Sequence, residues 1–91
     1  MMTVWDTFTV LRHTHPLSRP VVLKFTNLDD AEGLCEYAEG TDSFVIKLNS
    51  ALKPSQFDEV LVHEYAHALL YDYSGPHQGA AGGGTARRCC A

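Results

Sequence analysis

An α+β domain is predicted for this 91-residue chain. Three patterns predict it: apolar residues at helical spacing near the start, β-branched and alternating segments in the middle, and one long apolar helix before a glycine-rich end. A chain of this size can bury one modest core and no second one. Hydrophobic residues make up 45% of it and charged residues 20%, which excludes a disordered or coiled-coil chain.

Val4, Phe8 and Leu11 recur at helical spacing, with Trp5 beside them, until His15-Pro16 stops the pattern. A first short helix is expected there. The segment Pro20-Val21-Val22-Leu23-Lys24-Phe25-Thr26 is β-branched and ends at Asn27-Leu28-Asp29-Asp30, the signature of a strand and a turn. Polar and apolar residues alternate over Leu34–Ala38 and again over Ser43–Asn49, on either side of Gly40-Thr41-Asp42. Two further strands follow, joined as a hairpin unless Gly33 and Gly40 mark bulges, so the sheet is expected to have three strands. Pro54-Ser55 opens the strongest helix, with Ser55 as the expected cap and Asp58 placed three positions on to answer it. The helix runs to about Tyr73, where Ser74-Gly75-Pro76 ends it. Five of the last seventeen residues are glycine, and no large aliphatic or aromatic side chain follows Pro76. Residues 1–77 are therefore the expected domain and 78–91 a flexible or diverged tail.

Residues 1–74 hold all eleven carboxylates against five Lys/Arg, a balance of −6, while the whole chain carries −4. An acidic surface repels phosphate backbones, which argues against intrinsic nucleic-acid binding. Three cysteines, Cys35, Cys89 and Cys90, give an odd count without a spaced framework, the pattern of a reducing compartment. Cys35 is expected in the core and the adjacent pair in the tail. The start has no basic region before an apolar run, and no stretch has the length needed to span a bilayer. A cytoplasmic protein is the resulting expectation.

The chemistry-bearing pattern is His63-Glu64-Tyr65-Ala66-His67. Spacing of four on a helix puts both imidazoles on one face, one turn apart, with Glu64 beside them. In this HExxH arrangement the imidazoles bind Zn2+ and the carboxylate takes a proton from the metal-bound water, whose pKa falls to about 7. A catalytic zinc wants three protein ligands and an open position. His77, ten residues past His67 and beyond the Gly75-Pro76 break, is the expected third; His13 and His15 are weaker competitors. Glu59 or Asp72 could orient an imidazole, and Tyr71, one turn past His67, either polarises a carbonyl or packs.

The stretch Leu61-Val62-His63-Glu64-Tyr65-Ala66-His67-Ala68-Leu69, the preceding helix and three strands, and a histidine after a Gly-Pro turn resemble the SprT-like (Spartan-type) zinc metallopeptidases, in a compact bacterial or phage-type form. The resemblance implies a minimal zincin-like fold, His63, His67 and His77 as zinc ligands, and Glu64 as general base. It also implies a protein or peptide as substrate, and nucleic-acid association by family analogy only. The alternative expectation, motivated by the glycine-rich end, is a catalytically compromised zinc-binding or protein-interaction module on the same fold.

Overall fold

The computed structural model describes residues 3–74 and the pair 87–88. Helix α1 spans Val4–Thr14, followed by strands β1 (Val21–Thr26), β2 (Gly33–Ala38) and β3 (Ser43–Asn49), helix α2 (Pro54–Ser74) and a two-residue strand β4 (Arg87–Arg88). The α+β class is as expected. The sheet has the order β1-β3-β2-β4, one short strand more than the three expected, because Arg87 and Arg88 pair antiparallel with Tyr37 and Glu36. The other residues after Ser74, His77 and the expected boundary at 77/78 among them, lie outside the described residues.

Helix α1 starts on a capping box that the expected boundaries did not include. The Asp6 amide donates to Thr3 Oγ1 at 3.3 Å and the Thr3 amide donates to Asp6 Oδ2 at 2.8 Å, so two otherwise orphaned donors are satisfied. Helix α2 corrects the expected cap. Pro54 is its first residue, where a missing N–H costs nothing. The side chain that reaches back is Gln56, whose Oε1 accepts from the Lys53 amide at 3.0 Å. Ser55 and Asp58 are therefore already inside the helix, one and four positions past its start.

Strand β3 occupies the middle of the sheet. It pairs antiparallel with β2, from Gly33↔Leu48 to Ala38↔Ser43, and parallel with β1, from Val21↔Phe44 to Thr26↔Asn49. The chain therefore leaves β1, climbs the far side as β2, turns at residues 39–42 and descends between the two. Asp42 takes the left-handed conformation in that turn, with φ of 51°, which its short polar side chain tolerates. At the opposite end of the sheet Asn49 organises the β1–β2 loop. Its Nδ2 donates to the Leu28 and Ala31 carbonyls at 2.7 and 2.9 Å, and its own amide donates to Glu32.

Period-two alternation sends Leu23, Cys35, Tyr37, Phe44, Ile46 and Leu48 to one face, where they meet Phe8 of α1 and Val60, Leu61, Tyr65 and Ala68 of α2 in a single core. Cys35 belongs to this core, as expected. On the other face Lys47 pairs with Glu36 at 3.1 Å. Among the described residues no helix is long and apolar enough to cross a membrane.

Gly33 sets how closely α2 approaches the sheet. A Cβ there would lie 2.6 Å from Val60 Cγ1, 3.1 Å from the Lys47 carbonyl oxygen and 3.3 Å from Glu64 Cγ. Gly33→Ala is accordingly expected to cost about 1–2 kcal/mol by overpacking, read as a lower urea midpoint at unchanged slope. An unchanged midpoint would mean that α2 shifts away without loss.

Candidate functional site

Helix α2 turns Val60, Leu61, Glu64, Tyr65 and Ala68 to the core, while Val62, His63, Ala66, Leu70 and Tyr73 are exposed. The spacing places His63 and His67 together, as the sequence indicates. Their Nε2 atoms lie 3.1 Å apart and their rings meet edge to face at 4.7 Å. At that distance one nitrogen donates to the other, which requires one ring to carry its proton on Nε2. Glu64 sits one residue away but is buried, 7% exposed. It lines a cleft of about 410 Å³ together with Glu32, Gly33, Gln56, Glu59, Val60 and His63. Gly33 opens this cleft, since any side chain there would fill its floor against Val60 and Glu64.

Of the groups expected to serve the site, Glu59 lines the same cleft as His63, while Asp72 and Tyr71 are engaged elsewhere. Among the described residues Asp72 orients no imidazole; it accepts from the Ser18 amide at 3.0 Å, from Ser18 Oγ at 2.5 Å and from Arg19 Nη1 at 2.6 Å. Tyr71 packs, with ring centroids 5.5 Å from Tyr37 and 6.0 Å from Phe44. His15 offers its carbonyl to the Tyr65 hydroxyl at 2.7 Å. Burial pushes the Tyr65 hydroxyl pKa up, against the opposing pull of Arg12.

Two features were not anticipated. Arg19 bridges Asp42, through Nε at 2.8 Å, and Asp72, and the Tyr37 hydroxyl also donates to Asp42. This polar knot ties the α1–β1 segment to the hairpin turn and to the end of α2. No local pattern announces it, because its partners are 23 and 53 residues apart. The second is the exposed stripe Val62, Ala66, Leu70 and Tyr73. Its signal is present in the sequence, because apolar residues occur on all sides of α2 and not on one face alone.

A catalytic zinc needs three protein donors, and the described residues bring only two imidazoles together. Among them there is no group of three or more His, Cys, Asp or Glu side chains that could hold a metal ion. Compared with protein-family models, with curated proteins and with solved structures, the chain gives no match in any of the three. The resemblance to the SprT-like metallopeptidases is thereby corrected. The zinc cofactor, the HExxH peptidase activity and the phage-type hydrolase identity that followed from it go with it. A five-residue pattern on a helix is compatible with that chemistry; the described residues around it do not supply the rest.

Proposed function

We propose that this chain acts by holding another protein against the outer face of α2, as a non-catalytic interaction module. The observation that carries this reading is the apolar stripe on a helix face turned away from the core. Val62 is 47% exposed, Leu70 65% and Tyr73 88%, with the small Ala66 between them. An outward helix face in a small domain is ordinarily polar, and large apolar side chains gathered on a surface mark contact sites. A depression of about 540 Å³ between Asp58, Glu59, Val62 and His63 continues the stripe toward the helix start.

The occupant that fits is a helix of the partner protein, with apolar residues at i, i+3/i+4 spacing and Lys or Arg on its flanks. Ala66 permits close approach of a second helix. Asp58 and Glu59 beside the stripe, with Glu32 in the adjoining cleft, supply the charge complement that steers a basic segment. His63 and His67 form the polar margin of this contact.

Photo-crosslinking from position 66, in cells carrying the native gene, should give one discrete adduct. The crosslinked segment of the second protein should show that helical apolar spacing with basic flanks. Val62→Asp should abolish the adduct, whereas Val22→Asp, exposed on the far side of the sheet, should leave it. Absence of any adduct from positions 62, 66 and 73 overturns the reading, as does an adduct formed only between two copies of this chain.

A further inference from the structure

A second cleft, of about 360 Å³, lies between the C-terminal half of α1 and residues 16–21, remote from the outer face of α2. Its charged lining is of one sign: Arg12 and Arg19 contribute, His13 lies beside them, and none of the described residues that line it is a carboxylate. That is unusual in a chain whose first 74 residues balance to −6. Arg19 is already answered by Asp42 and Asp72. Arg12 is not. Its guanidinium stands 5.4 Å over the Phe8 ring, and it forms no ion pair among the described residues.

The segment 16–21 that completes the cleft is held in place by hydrogen bonds. Ser18 and Arg19 are bonded to Asp72, Arg19 also to Asp42, and the Tyr65 hydroxyl fixes the His15 carbonyl. Pro16 and Pro20 stiffen the same segment. The cleft is thus formed before any ligand arrives, which lowers the cost of binding. Leu17 and Val21 give it an apolar side, both packed on the core without being fully covered. Arg12 also lies in the last turn of α1, where a cation complements the helix dipole. That position explains the cation and not the rigid, carboxylate-free lining that shares the cleft with it.

We propose that this cleft binds the carboxylate of a small organic acid with an apolar body. The carboxylate meets the planar fork of Arg12, and the body lies against Leu17 and Val21. A guanidinium suits a carboxylate because two parallel N–H donors match its two oxygens.

The test uses the full chain and hexanoate, with hexanol and hexylamine as controls, followed by backbone amide NMR. Hexanoate should give saturable shifts confined to residues 9–21 and Tyr65, while hexanol and hexylamine give none. Arg12→Gln, at an exposed position, should weaken hexanoate binding about tenfold or more, with Arg12→Lys between the two. Non-saturable shifts, equal response to hexanol, or unchanged affinity in Arg12→Gln would overturn the proposal. The contrast between hexanoate and hexanol in the native chain decides the matter even if a variant fails to fold.

Discussion

Phe44→Ala is expected to lower the unfolding free energy by about 3–5 kcal/mol, the largest effect of any single substitution considered for this domain. Phe44 is fully buried at 0% exposure in the central strand β3. Its ring lies 5.7 Å from Tyr37 on β2 and 6.0 Å from Tyr71 near the end of α2, and those two rings are themselves 5.5 Å apart. Truncation therefore removes the buried ring and also the shared partner of two aromatics on separate elements. The cavity cannot close by moving one side chain, because β3 is paired on both edges. A small domain has little reserve, so the variant should be substantially unfolded at 37 °C. Circular dichroism against temperature and urea measures it, and a loss below about 1 kcal/mol would show that the core collapses onto the gap.

Asp72→Ala should cost about 2–3 kcal/mol. Its carboxylate, 14% exposed, accepts three hydrogen bonds, two from Ser18 and one from Arg19. Removing it strands those donors and leaves the half-buried guanidinium with Asp42 alone. The same carboxylate confers acid sensitivity. Burial tends to raise the Asp72 pKa, but the bonds from Ser18 and the Arg19 charge outweigh it, and the net direction is down. Asp42 is lowered too, by the Tyr37 hydroxyl first and Arg19 second. A carboxyl depressed by folding stabilises fully above its unfolded pKa of about 4, and that contribution disappears as pH falls through the lower folded value. Stability should thus decline below about pH 4, and the decline should be shallower in Asp72→Ala. Urea midpoints at pH 7 and across the acid range would show it; parallel acid limbs for the two proteins would refute the assignment.

The elements themselves were legible in the sequence because their signals are local. Alternation over 34–38 and 43–49 marks the hairpin, and Pro54 marks the start of α2. The parallel pairing of β1 with β3 was not legible, since alternation says which face a residue takes and nothing about which strand lies beside it. Capping was half legible: Ser55 has the composition of a cap, but Pro54 at the first helical position moves the cap to Lys53 and the answering side chain to Gln56. For the site, the spacing of His63 and His67 did place them together. The zinc expected from that spacing is what the structure corrects, because a metal centre is completed by further donors and among the described residues no third donor joins the pair, some candidates being committed elsewhere. Asp72 is the clearest case: its position in the sequence makes it a candidate partner for an imidazole, and in the structure it anchors Ser18 and Arg19.

One consequence comes from the course of the chain around β3. The Arg19–Asp42–Asp72 knot sits at one end of the sheet, and the Asn49 loop with Gly33 sits at the other. Along α2, Val60, which faces Gly33, and Asp72 are twelve residues apart, about 18 Å of helix. Groups so far apart, with no shared partner, contribute independently. The energetic losses of Gly33→Ala and Asp72→Ala should then sum in the double variant to within about 0.5 kcal/mol. Measured coupling beyond that would reveal α2 as a rigid rod that transmits a displacement from one end of the domain to the other. Additivity would mean that each end of this small domain can change its sequence without renegotiating the other.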